Sequence, residues 1–374
     1  MANYKGLKNK SGKSYFLNTL DWYIIKKVLA TFFVSIILID FVIIIIDLSF
    51  KIDDFIDREA PLKAVLLDYY LNLAPFYTNQ FGHLFFFISI VFVTSRLTMR
   101  SEITAILAAG ISFKRMLRPY IVSAVFVGII MLYLSNFLIP QLNVTRYQFE
   151  QKYYRNKYTN IQNNIHIQSN KNTQVYVLSY NNEINTGYMF VQETFDNNAV
   201  VKRITADEAK YDSLQNDWLL YNYAIREIDG KQEKLVKGST MRIKNGLKPL
   251  DFNAKLFKVD VLDFFQLNNA IQRETMKGSS LVPKLLVEKY QRLFNPIAFI
   301  ILTIIGVTLS CKKKRGGMGA NLALAIALAF ILILLMKIMV AASTNGNLSP
   351  VLGESTPLVL FGFVAIFLIK KAPK

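Results

Sequence analysis

The sequence predicts a membrane α+β protein, with six transmembrane helices and a β-rich soluble domain between the third and the fourth. Three observations lead there. Of the 374 residues 52% are hydrophobic, but their placement is uneven. Apolar runs crowd residues 24–139 and 295–370, while 141–294 is polar and rich in Asn, Lys and Tyr. Within that polar insert, short Val-, Tyr-, Ile- and Thr-rich segments alternate with Asn-Asn and Asp-Gly turn signals, the pattern of several short strands. The formal net charge is +18, and many of the basic residues flank the apolar runs. The positive-inside rule accounts for that placement, so the charge does not imply nucleic-acid binding.

The chain opens on a basic tail with Lys5, Lys8, Lys10 and Lys13. Gly6 to Ser14 superficially resembles a phosphate-binding loop, but the glycines are six apart and no strand precedes them. Leu20 to Lys27 reads as an interfacial anchor of aromatics and lysines. Span 1 covers about 28–47, long enough for a bilayer core of about 30 Å. The first apolar run is long and no small-residue site closes it, so no cleaved signal peptide is expected. Asp40 lies inside span 1, with Asp47 on the same face. An intramembrane acid is costly and marks either a function or a carboxylate paired with a neighbouring helix, and the paired reading is preferred here. Residues 48–75 read as a polar connection with a helix over 62–73, stopped before Pro75. Span 2 covers about 76–98; its His83 reads as a packed polar group, since no Cys or acid stands at ligand spacing and no metal site is expected.

A short helix over 101–110 follows. Ser101 is the expected N-cap, Glu102 suits the first turn, and Gly110 is a natural stop. Ile103, Ile106 and Leu107 share one side, while Thr104, Ala105, Ala108 and Ala109 keep the rest small-surfaced. The stretch therefore reads as a helix across the ends of membrane helices, either an ordinary amphipathic connector or a surface that another protein approaches closely. Span 3 is about 119–139, opened by Pro119 and closed near Pro140.

The insert begins with a helical extension over 141–157. Strands are expected over 173–180, 186–195, 199–205, 217–228 and 233–243, suggesting a sandwich or jelly roll. In 217–228, Leu219, Tyr221, Tyr223 and Ile225 alternate onto one apolar side. Helices over 261–277 and 280–293 lead back to the membrane. Span 4 is about 295–311, then come a basic turn at 312–315, span 5 at about 320–342, a polar loop at 343–356 and a short span 6 at about 357–369. Cys311 is the single cysteine, so no intramolecular disulfide forms. Lys337 near the end of span 5 snorkels.

Lys and Arg are concentrated in the N-terminal tail, the 96–118 connection, the 312–315 turn and the C-terminal tail. That side is expected to be cytoplasmic, with both termini inside and the insert outside. A lipid phosphate on the outer side would need cations there, and Lys51 and Arg58 are the candidates, although acids surround them.

Three patches resemble one known family. Ser101-Glu102-Ile103-Thr104-Ala105-Ile106-Leu107-Ala108-Ala109-Gly110-Ile111-Ser112 resembles the coupling-helix signature of the LptF/LptG permeases of the lipopolysaccharide exporter. Arg315-Gly316-Gly317-Met318-Gly319-Ala320-Asn321-Leu322 resembles their basic-glycine turn, and Ile204-Thr205-Ala206-Asp207-Glu208-Ala209-Lys210-Tyr211 resembles a strand pair of their periplasmic β-jellyroll. The resemblance runs from Leu20 to the C-terminus and implies three parts. These are a tail, helices 1–3 and coupling helix (1–140), a periplasmic β-jellyroll domain inserted between helices 3 and 4 (141–294), and helices 4–6 (295–374). It further implies a multi-pass protein of the bacterial inner membrane that pairs with a second LptF/LptG-type permease. A cytoplasmic ABC ATPase dimer would bind the ATP and dock on Ser101, Glu102, Thr104, Ala105, Ala108, Ala109 and Gly110. Lipopolysaccharide would pass along the jellyroll to a small membrane-anchored periplasmic jellyroll protein and a bridge protein.

This chain carries no nucleotide motif, no catalytic set and no cofactor signature, so energy is expected from the partner. A sensor or scaffold with an extracytoplasmic ligand-binding domain is the main alternative, but the cytoplasmic stretches are short for an output domain. An intramembrane hydrolase using Asp40 and Asp47 is disfavoured, because seven residues of helix separate them by about 10 Å along the axis.

Overall fold

The computed structural model describes residues 18–154, 161–181, 184–196, 199–229, 232–252, 259–276, 278–279, 281–312 and 317–372. The basic tail with Lys5, Lys8, Lys10 and Lys13, and residues 313–316 of the basic turn, lie outside the described residues. Helix α1 spans Thr19–Asp57, 39 residues, or about 58 Å of rod against a hydrocarbon core of about 30 Å. The expected connection after residue 47 is therefore helix. It stays helical because Phe55 is buried, edge-on to Tyr69 at 5.7 Å and to Phe149 at 5.6 Å.

A short helix α2 (Leu62–Ala64) and a π-turn (Val65–Tyr70) run straight into α3 (Leu71–Met99), with Pro75 inside it. Pro75 does not stop the helix. The wide turn upstream, where the Leu71 N–H reaches the Leu66 carbonyl, absorbs the bond and the space a proline disturbs. The same device recurs after the short helix α4 (Glu102–Ala108): a π-turn at Leu134–Leu138 joins α5 (Phe113–Tyr133) to α6 (Ile139–Tyr153) and carries the rod past Pro140. After the β-domain come α7 (Phe264–Met276) and α8 (Val282–Ser310), which merges the expected 280–293 helix with span 4. Helices α9 (Gly317–Thr344) and α10 (Pro350–Lys370) complete the bundle. The expected 343–356 loop shrinks because Pro350 starts α10 in its first turn, where a missing N–H costs nothing.

Six helical stretches among the described residues are long and apolar enough to cross a membrane. In the most apolar stretch of the α3 rod 72% of residues are buried, against 11% for α1 and 17% for α9, so α3 is central while α1 and α9 face outward. One core joins α1, α3, α5 and α8 around Phe32, Phe86, Tyr120 and Phe299; a second joins α3, α8, α9 and α10 around Phe87, Ile305 and Phe361. Gly128 lets α5 lie on Pro296 of α8, where an added Cβ would sit 3.4 Å from the proline carbonyl.

Six strands form one antiparallel sheet in chain order, a β-jellyroll-like domain between α6 and α7. They are β1 (Ile161–Asn170), β2 (Thr173–Asn181), β3 (Thr186–Asp196), β4 (Ala199–Asp212), β5 (Asp217–Asp229) and β6 (Gln232–Ile243). Strand β1 was not expected from its Asn- and Gln-rich sequence; it forms because β2 supplies a partner along its whole length. A crease crosses the sheet. The register skips Asn164, Leu178, Met189, Asp207, Asn222 and Ser239, one residue on each strand, all in one row. Asn164, Met189 and Asn222 there have φ of 56°, 51° and 50°, the left-handed region that Asn tolerates and Met rarely enters. Alternation changes phase at this row. On β5 the core-facing residues are Trp218 and Leu220 on one side, Tyr223 and Ile225 on the other.

The loop after β6 covers one half of the sheet: Phe252 stacks on Tyr180 at 5.0 Å, and the Trp218 indole N–H donates to the Leu247 carbonyl at 2.9 Å. At the β4–β5 turn the Leu214 backbone N–H and the Arg242 guanidinium hold the Asp212 carboxyl below its ordinary range. The domain is tied to the bundle at Asp260, whose carbonyl accepts from Asn143 at 2.9 Å and whose carboxylate meets Arg146 at 3.4 Å.

Candidate functional site

The end of the bundle rich in Arg96, Arg100, Lys114, Arg115 and Arg118 carries α4. The chain reverses there through Ser101, which adopts φ 61° and makes no side-chain cap. Ser101 is thus not the expected hydroxyl N-cap: in the left-handed region its side chain is turned from the first-turn N–H groups, and its carbonyl receives Ala105 N–H at 2.9 Å. The side-chain cap in this region falls to Ser112, whose Oγ accepts from Arg115 N–H at 3.4 Å and starts α5. Gly110 closes α4 at φ 83°, where a side chain would be strained.

Ile103 anchors α4. It is fully buried among the α1, α3 and α5 side chains, with Ile106 and Leu107 packed beside it. That burial stabilises the seat by about 2 kcal/mol. The opposite face carries Thr104, Ala105, Ala108, Ala109 and Gly110, all exposed. Glu102 faces inward along the surface of the protein. Its carboxylate accepts from the Tyr23 hydroxyl at 2.7 Å, and Lys27, which also donates to that hydroxyl, stands 3.8 Å away. Two further ties flank the helix: Arg115 grips buried Asp21 through two bonds of 2.7 Å, and Thr98 donates to the Ser310 carbonyl at 2.8 Å. The arrangement is a small, smooth face on a rigidly seated helix, bonded to α1 and adjoining α3 and α5.

At the opposite end, Lys51 is not an open cation. It pairs with Asp47 at 2.7 Å, donates to the Tyr69 hydroxyl, and stands 4.8 and 4.7 Å from the Tyr69 and Tyr154 ring centres. Its charge is neutralised within the chain, in a mostly buried aromatic cage. Arg58 closes α1, its backbone N–H on the Asp54 carbonyl. Asp40 accepts from the Thr78 hydroxyl of α3 at 2.6 Å, the neighbouring-helix pairing expected for an intramembrane carboxylate.

On β5 the four residues expected to share a side do not. Asn222 at the crease reverses the alternation, so Tyr223 and Ile225 join the apolar core face while Leu219 and Tyr221 stand on the other. Tyr223 lies flat over Gly238, where an added Cβ would come within 2.6 Å of its hydroxyl. The sequence places Glu354 in the expected 343–356 loop; the structure buries it inside α10, 3% exposed. A span 6 over 357–369 alone is too short to cross a bilayer, which points to an earlier helix start.

A family model described as "Lipopolysaccharide export system permease LptF/LptG" matches residues 22–371, nearly the whole chain. No curated protein matches the chain.

Proposed function

The chain belongs to the LptF/LptG family of lipopolysaccharide export system permeases, and from that premise we propose that it works as one half of an ABC-type exporter of the inner membrane. In this reading the basic end is cytoplasmic, both termini are inside, and the β-domain is periplasmic, as the placement of Lys and Arg favours. A cytoplasmic ATPase dimer docks on α4, and a second LptF/LptG-type permease covers the outward-facing α1 and α9. The lipid is taken from the membrane and handed along the core face of the β-domain, past Tyr223 and Ile225. A small membrane-anchored jellyroll protein and a bridge protein receive it. Arg58, which closes α1 at the end of the bundle opposite α4, is the candidate cation for a lipid phosphate.

The observation that carries the reading is the seat of α4. A connector helix has no physical need for five small exposed residues backed by a fully buried isoleucine, whereas a groove on a partner accepts only small side chains at close range. The chain carries no nucleotide-binding loop of its own, so this subunit is a transporter component and ATP is bound and hydrolysed by the partner. Co-purification from native membranes tests the assembly: an ABC ATPase and a second permease should come down with the chain, and the separated chain should hydrolyse no ATP. Recovery of neither partner, or hydrolysis by the isolated chain, contradicts the proposal.

A further inference from the structure

Four membrane helices converge on a small pocket toward the β-domain end of the bundle. Gln80 and His83 of α3, Gln291 and Asn295 of α8, Lys337 of α9 and Glu354 of α10 supply its polar groups, set among apolar side chains of α3 and α9. Two of these side chains are more than nine-tenths buried, and each carries a buried polar atom without a partner. Glu354 Oε1 has no hydrogen-bond partner, and neither ring nitrogen of His83 has one. The backbone is shaped to put the carboxyl in this place. Gly353 lies close against α9: an added Cβ would meet Ser343 Oγ at 1.9 Å and the Met339 carbonyl at 3.2 Å, so glycine here favours the close approach of α10 to α9 beside Glu354.

An unpaired carboxyl oxygen and an unpaired imidazole in one pocket are costly unless something polar fills it. The charged and titratable groups around Glu354 are His83 from α3, Glu288 from α8 and Lys337 from α9. Glu288 is held by Arg292 at 2.8 Å. Lys337 is exposed at the pocket mouth. One carboxylate beside a lysine is a poor seat for a metal cation, and no group of three His, Cys, Asp or Glu that could hold one occurs among the described residues. Three amide side chains can orient water. We propose that this pocket is an intramembrane protonation site, in which Glu354 binds and releases a proton through water held by Gln80, Gln291 and Asn295. His83 and Lys337 set the local field. Proton relays are among the functions that intramembrane acids serve, and the proposal adds to lipid export without depending on it.

Dicyclohexylcarbodiimide tests it, because this apolar reagent adds to protonated carboxyls in apolar surroundings. The carboxyl proton moves to a reagent nitrogen, the carboxyl oxygen bonds to the central carbon, and the adduct rearranges to a stable N-acylurea. The full chain in detergent is treated from about pH 5 to about pH 9 and the adducts are mapped by mass spectrometry. The expected result is an adduct on Glu354 whose yield falls about tenfold per unit above its midpoint. It should be absent in Glu354→Gln, and in Lys337→Met it should persist to higher pH, because the neighbouring positive charge is gone. Size-exclusion profiles of both variants check folding, and Lys337→Met keeps the carboxyl testable should Glu354→Gln misfold. No adduct on Glu354 at any pH while other carboxyls react, a pH-independent yield, or an unmoved profile in Lys337→Met would overturn the proposal.

Discussion

The Tyr23 hydroxyl donates a hydrogen bond of 2.7 Å to the Glu102 carboxylate, bonding the first membrane helix to the short helix that bears the small-residue face. Glu102 is therefore a link within the chain before it is a contact for any partner. In the proposed exporter, displacement of α4 would pull through it on α1, whose outer faces are largely uncovered. Such a bond to a charged acceptor, partly exposed, contributes about 1 kcal/mol. Tyr23→Phe should leave ATPase docking intact and lower lipid release per ATP hydrolysed several-fold. Reconstituted vesicles with a lipid-release assay beside a pull-down measure both; parallel loss of docking would mean that the bond seats the helix rather than transmits its motion.

Lys51 and Asp47 form a mostly buried ion pair within an aromatic cage. Removing one member leaves the other charge without its partner, which costs about 3 kcal/mol, whereas replacing both by apolar residues costs far less. Lys51→Ala should lower the thermal midpoint of the detergent-solubilised chain by several degrees, and Asp47→Leu with Lys51→Met should regain most of it. A Lys51→Ala variant with wild-type stability and weakened lipid binding would restore the phosphate-contact role instead.

The crease across the sheet sets which side of β5 would meet the lipid in the proposed export route. Photo-crosslinkers at Tyr223 or Ile225, on the apolar core face, should capture lipopolysaccharide, while those at Leu219 or Tyr221 should not. Capture from Leu219 and Tyr221 alone would place the conduit on the outer face.

Asn222 holds φ 50° at that crease and donates to Asp207 of the neighbouring strand at 3.1 Å. Asn222→Gly should be nearly neutral, since glycine enters this region freely. Asn222→Val should destabilise the chain by about 1–2 kcal/mol, because a β-branched residue there is strained. Thermal unfolding of both variants separates backbone strain from loss of the side-chain bond, which they share.

What the sequence made legible follows from which signals are local. Six spans and five of the six strands could be read from hydropathy and turn residues, as could the inward side of α4 at Ile103, Ile106 and Leu107. The errors arise where tertiary contacts decide. Residues 48–57 look polar, yet Phe55 finds Tyr69 and Phe149 and the helix continues. Pro75 and Pro140 look like stops, yet a π-turn precedes each. Strand β1 is poor in strand formers and exists through β2. Period-2 alternation places Leu219 with Tyr223, and only the left-handed turn at Asn222, which a sequence does not announce, separates them. Lys51 reads in the sequence as a candidate lipid-binding cation with acids around it, and the structure pairs it with one of them, Asp47, a helical turn away.

The proposed export function rests on α4 as a docking surface. Ala108 is exposed on its small face, outside the cluster in which Ile103 seats the helix, so Ala108→Arg adds bulk and charge where the proposed partner would approach. A pull-down of the ATPase by this variant, beside its detergent size-exclusion profile, is the most direct measurement. The expected result is a wild-type elution profile with ATPase recovery reduced by at least about tenfold, equivalent to about 1.4 kcal/mol of binding free energy. Wild-type recovery of the ATPase by a normally folded Ala108→Arg chain would contradict it and return residues 101–110 to the role of an amphipathic connector.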